Sequence, residues 1–223
     1  MGKIRFTSHR DVARMWERAL RRSGLPMAFS QGFSPHPLLS FGLALPTGCE
    51  SQGEYLDARL DEVRKDEIPL AALPEVLTEL LPDGVSVQAV APIGMAEGSL
   101  QQEVASCTWD LEVLGVAGEE LEERIGRVLA APSLIVQRER KGRPVEDDVR
   151  PAILALTMTP DDNGRFRAEL ATHPRGVRPG DLLAAFGTDV VLARACRTHQ
   201  WIWHDGARYE PLSMSGLAAG RAS

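Results

Sequence analysis

The order strand–helix–strand–strand–helix–strand runs twice along this chain, which predicts an α+β protein of two similar domains. Three observations carry that expectation. Alternating apolar and polar residues mark half-buried strands, clearest at Glu54–Leu60 and Ala105–Val113. Apolar residues three and four apart mark amphipathic helices, at Val12–Leu20, Leu70–Leu81 and Leu121–Leu129. A small, polar stretch at 94–102, GMAEGSLQQ, separates the two sets as a linker. The 223 residues, 43% of them hydrophobic, suffice for one core or two.

Lys3–Thr7 reads as the opening strand. Ser8 follows as a helix N-cap, with Asp11 three residues on as a weak capping box. Val12, Met15, Trp16, Ala19 and Leu20 then give a helix one apolar face, and Gly24 and Pro26 close it. Leu38–Leu45 is a short apolar run bounded by prolines, read as a buried strand. In Glu54–Leu60, Leu56, Ala58 and Leu60 point one way and Tyr55, Asp57 and Arg59 the other. The aliphatic set is expected under the helices, and Tyr55 and Asp57 on the open face; an Asp57–Arg59 ion pair is the plainer alternative. Pro74 starts or kinks the helix at Leu70–Leu81, Pro82-Asp83-Gly84 turns the chain, and Val85–Ile93 is read as the last strand.

In the second half, Ala105–Val113 is a strand and Leu121–Leu129 a helix face. Leu134–Gln137 and Ala152–Met158 read as strands around a charged loop. Pro160–Gly164 is a turn, and Arg165–Ala171 alternates after it. Pro179–Phe186 makes a short helix with Gly187 past its end, and Val190–Cys196 closes the set as a strand. Two tandem ferredoxin-like (βαββαβ) units, each an antiparallel sheet with helices on one face, are the economical architecture. The domains are placed at 1–96 and 103–204, the second with an extra strand, and 205–223 as a frayed tail.

No run of 18 apolar residues is present, so no membrane span is expected. The N-terminus lacks the apolar core of a signal peptide. Cys49, Cys107 and Cys196 are scattered and odd in number, which points to a reducing cytoplasm and away from a disulfide framework. They also lack the spacing of a zinc or iron–sulfur motif, so no metal or cofactor is assigned to this chain. The net charge is −6, yet residues 1–22 hold seven Lys/Arg against two acids, a local +5. A patch of that kind reopens an anionic partner despite overall acidity.

Five of those cations, Arg10, Arg14, Arg18, Arg21 and Arg22, fall within an arc of roughly 120° at helical spacing, opposite the apolar face. Such a row is either a solvated face or a track for phosphates, for which arginine's bidentate fork is suited. The next segment, Ser30-Gln31-Gly32-Phe33-Ser34-Pro35-His36-Pro37, is stiffened by its prolines. Gly32 would let a backbone approach closely. Two readings stay open: a tight crossover with Phe33 in the core, or a recognition loop offering Gln31, Ser34 and His36 as polar contacts and Phe33 as a stacking face. His9 and His36 are the candidate acid–base pair if the chain is itself an RNA-processing or RNA-modifying enzyme. Glu54, Tyr55 and Asp57 are candidate binding residues, and Lys141 and Arg150 candidate phosphate contacts in the charged loop.

The run from Thr7 to Leu60 resembles a radical-SAM-linked bacterial family, DUF2344. The resemblance rests on Ser8, His9, Asp11, Arg21 and Arg22; on Ser30, Gly32, Phe33, Pro35, His36 and Pro37; and on Glu50, Ser51, Glu54, Tyr55 and Asp57. A weaker second motif is Lys141, Gly142, Asp148, Arg150 and Pro151. Arg10, Phe29 and Ser34 depart from the family's usual leucine, tyrosine and asparagine. The resemblance implies a radical SAM protein as partner, the partner using S-adenosylmethionine and an iron–sulfur cluster. The resulting expectation is a non-catalytic substrate-recognition module for RNA. The alternatives are the histidine enzyme and a protein–protein interaction module docking an acidic partner.

Overall fold

The computed structural model describes residues 3–61, 69–93, 99–140, 142–160 and 164–213. The fold is mixed α+β, with antiparallel and mixed sheets. The chain divides into two compact units. Unit 1 is Met1–Gly48, Glu54–Glu103 and Tyr209–Ser223, and unit 2 is Cys49–Gly53 and Val104–Arg208.

Unit 1 is built on helix α1, His9–Arg22. The Ser8 hydroxyl accepts from the Asp11 N–H at 3.2 Å and donates to the Asp11 carboxylate at 2.6 Å, so the expected cap forms. At the other end the Ser23 N–H donates to the Ala19 carbonyl, and Gly24 turns out of the helix with φ +72°. The apolar face of α1 buries Ala19 and Leu20. Leu20, Met27, Leu73 and Leu77 form the core centre, the last two from helix α2, Leu73–Leu80. Each such leucine contributes about 1.5–3 kcal/mol by leaving water. Strands β1 (Leu39–Phe41) and β3 (Leu56–Ala58) pair antiparallel, with Ser40 opposite Asp57. Leu56, Ala58 and Leu60 pack on this core. Tyr55 and Asp57 therefore lie on the other face, as the alternation requires.

Two expected strands of this half are absent. Lys3–Phe6 is a 3₁₀ turn, closed locally by the Thr7 N–H on the Ile4 carbonyl. Val85–Ile93 is irregular chain. Its core contacts are Val87 and Val90, three residues apart, a spacing that a two-residue strand repeat does not supply. The Val87 N–H also goes to the Thr78 hydroxyl at 2.9 Å instead of a strand. Among the described residues, unit 1 thus does not show βαββαβ order. Of the expected linker, Leu100–Glu103 is a short helix, α3; residues 94–98 lie outside the described residues.

Unit 2 carries a sheet in the order β10-β9-β4-β8-β7. Its strands are β4 (Val104–Leu114), β7 (Ile153–Met158), β8 (Arg165–Ala171), β9 (Val191–His204) and β10 (Ala207–Tyr209). Helix α4 (Gly118–Ala130) follows β4, and α5 (Pro179–Leu183) follows β8. The four strands β4, β7, β8 and β9 pair antiparallel. One face is apolar: Leu111, Phe166, Ala168 and Leu170 are buried, as are Leu121, Ile125 and Val128 of α4. Phe166 stacks on Phe186 at 5.3 Å.

The second half departs from expectation in three places. The charged loop is a hairpin of its own, β5 (Ile135–Arg140) and β6 (Arg143–Asp148). Strand β9 continues to His204, well past Cys196, and pairs with β4 as far as Ile202 through three irregularities of register. The tail at 205–223 begins with strand β10; residues 214–223 lie outside the described residues, as do 161–163 of the expected turn. Strand β2, Glu50–Ser51, joins this sheet parallel to β9.

Candidate functional site

The arginine helix presents its row to solvent. Arg10, Arg14, Arg18, Arg21 and Arg22 are all exposed. Arg14 lies 3.8 Å from Asp11, both more than half exposed, a pairing that water weakens. Arg21 sits over the ring of Phe29, 5.9 Å from its centroid. Among the described residues, Arg10, Arg18 and Arg22 have no acidic partner.

The loop begins where this helix face ends. Phe29 and Pro37 bridge as its root. The Ser30 N–H donates to the His36 carbonyl at 2.9 Å, and the His36 N–H donates to the Ser30 hydroxyl at 3.0 Å. Two reciprocal bonds clamp the intervening residues without any ladder. Gln31, Gly32, Phe33, Ser34, Pro35 and His36 are exposed. Phe33 is completely so, at 109%, which disposes of the reading that placed it in the core. Gly32 has φ +134° and nothing within 4 Å of where a Cβ would stand. Glycine is required there by the backbone angle, not by a close approach as expected.

The two histidines have different neighbours. The His9 ring packs edge-on against Phe41 at 5.3 Å, at the start of α1. His36 is in the loop beside Phe29, which meets Arg21 near the helix end. At about 1.5 Å rise per residue, His9 and Arg21 lie roughly 18 Å apart along the axis.

Tyr55 and Asp57 are half-buried. The Tyr55 hydroxyl donates to Glu210 at 3.3 Å. Burial and then the Glu210 carboxylate push its ionisation well above the usual tyrosine range. Asp57 is raised above an ordinary carboxyl, by burial first and by Glu103 second. Among the described residues no ion pair joins it to Arg59. Glu54 is exposed.

Arg150 has another task. Its Nε donates to the Ala131 carbonyl at 3.2 Å, Nη2 to Leu129 at 2.8 Å and Nη1 to Ile153 at 2.9 Å. The first two close the carbonyl end of α4. The guanidinium is thus occupied by backbone. Lys141 lies outside the described residues.

Several polar contacts of unit 2 had no clear sequence signal. Glu50, which is buried, accepts from Arg194 at 2.7 Å. Gln200, fully buried, donates to the Gly53 carbonyl at 2.6 Å. His199 stacks on Trp201 with centroids 5.0 Å apart, and Arg208 lies over Trp201 at 4.5 Å. The Glu50 and Gln200 bonds join residues more than 140 apart, which no local spacing encodes. The Cys49 thiol is pushed up by burial, so it is poorly suited to act as a nucleophile. Among the described residues no three His, Cys, Asp or Glu side chains gather as metal ligands.

Residues 1–179 match the family described as "Uncharacterized protein conserved in bacteria (DUF2344)". No curated protein matches the chain.

Proposed function

The chain belongs to the DUF2344 family, and from that premise we propose that it is an RNA-recognition module serving a radical SAM enzyme, without catalysing the reaction itself. One observation carries the RNA reading: an exposed arginine row, with only Arg14 beside an acid among the described residues, runs to the root of a clamped loop that carries a wholly exposed phenylalanine. Arginines at helical spacing suit phosphates, and an exposed ring beside them suits bases. The radical SAM partnership rests on the sequence resemblance. The three cysteines are separated by dozens of residues and all are buried, so the cluster and S-adenosylmethionine fall to the partner. Buried free thiols also suit a reducing cytoplasm. On this reading unit 2, with βαββαβ order and strand sequence β9-β4-β8-β7, is a ferredoxin-like scaffold.

The test is filter binding to a pool of bacterial tRNA and rRNA fragments. Binding should fall steeply with salt, and the double variant Arg14→Ala/Arg18→Ala should flatten that dependence by about 1.4 in log–log slope for single strands. Absent or salt-insensitive binding rejects RNA. Co-purification of an acidic protein in its place would support the docking alternative.

A further inference from the structure

We propose that this surface takes a single-stranded segment, with phosphates along the arginine row and one unpaired base stacked on Phe33. The inference rests on the RNA reading above and adds which form of RNA is bound.

Three features point to a single strand. The first is Phe33 itself. A phenylalanine 109% exposed contributes nothing to the core, and both faces of its ring are open. The Ser30–His36 clamp and the φ of +134° at Gly32 hold the tip in a fixed turn. A ring face has stacking value only for a base that is not already stacked on its neighbours. In a duplex every internal base is so stacked, and A-form RNA hides its base edges in a narrow major groove. The second is the spacing of the row. Arg10, Arg14, Arg18 and Arg22 are four residues apart, a rise of about 6 Å per step, on the scale of neighbouring phosphates along one extended strand. The third is continuity. Arg21 covers Phe29 at the loop root. Phe33 is four residues from either side of that root, so it lies within about 13 Å of it. A strand following the arginines reaches the ring without a gap. Gln31, Ser34 and His36 are exposed around it and offer hydrogen bonds to a base edge.

The experiment uses the full chain with fluorescent oligoadenylate and with the duplex of oligoadenylate and oligouridylate. The single strand should bind more tightly. Phe33→Ala should weaken single-strand binding by about fivefold or more and leave duplex binding unchanged; Phe33→Trp should restore it. The fold cannot depend on so exposed a side chain, so circular dichroism of all variants should coincide. The log–log salt slope should be about −3.5 for five arginines on a single strand, unchanged in Phe33→Ala and reduced in magnitude by about 0.7 in Arg18→Ala. Equal affinity for strand and duplex, with Phe33→Ala silent, overturns the single-strand inference and leaves RNA binding standing. No binding to either probe overturns both. Preferential binding to phosphatidylserine vesicles, lost in Phe33→Ala, would reassign the surface to a membrane and also overturn the inference.

Discussion

Replacing Arg150 with alanine separates two roles that its sequence context confuses. In the structure its guanidinium donates to the carbonyls of Leu129, Ala131 and Ile153. Alanine would take that donor away from the carbonyls at the end of α4 and the start of β7. Hydrogen bonds from a charged donor contribute about 1.5–3 kcal/mol each, but the site is only half-buried and water replaces part of the loss. We expect a destabilisation of about 3 kcal/mol. The contacts of Asp148 survive the change, since its carboxylate accepts from the backbone N–H groups of Leu134 and Arg150. The measured loss therefore belongs to the guanidinium. With a urea m value of about 2 kcal/mol/M, the midpoint should fall by about 1.5 M at constant m. Tryptophan fluorescence is the natural probe, because Trp109, Trp201 and Trp203 all lie in unit 2. Arg150→Lys should recover only part of the loss, since one compact ammonium cannot span three carbonyls. RNA affinity should be unchanged. An unchanged midpoint combined with weakened RNA binding would refute the capping argument and return Arg150 to the phosphate contacts.

Two further outcomes follow from the same geometry. A Cβ at Gly53 would lie 2.8 Å from the Thr198 carbonyl oxygen, a backbone atom that cannot swing aside. Gly53→Ala should cost about 2 kcal/mol by forcing β2 off β9, and a stability equal to wild type would show that the segment docks more loosely than described. Asp57 has its folded pKa raised above 3.8 by burial and by Glu103. The proton is thus bound more tightly in the folded state, and stability declines as pH rises through the window from 3.8 to the folded value. Asp57→Asn removes that burden, so its melting temperature at pH 7 should exceed wild type, with the gain vanishing below pH 3.8; a lower melting temperature at pH 7 would mean that the carboxylate is stabilised by bonds that asparagine cannot make.

What the sequence by itself determined was local. Helix α1 is specified by a cap at Ser8, apolar spacing from Val12 to Leu20 and a glycine exit, all within one stretch, and the arginine row follows from the same periodicity. The β3 alternation is equally local, and it placed Leu56 and Ala58 toward the core and Tyr55 and Asp57 away from it. Whether Phe33 was core or surface was open until the tertiary structure showed no apolar layer at the loop tip. Strands were less legible, because a strand exists only where a second segment supplies its hydrogen bonds. Lys3–Phe6 and Val85–Ile93 have β-like composition, yet the one closes on itself and the other gives its Val87 N–H to Thr78. Beyond Cys196 the chain stays a strand because β4 pairs with it as far as Ile202. Arg150 shows the same limit for a charge. Nothing in Asp-Val-Arg-Pro distinguishes a phosphate contact from a helix cap, because the carbonyls that decide it arrive from about twenty residues upstream.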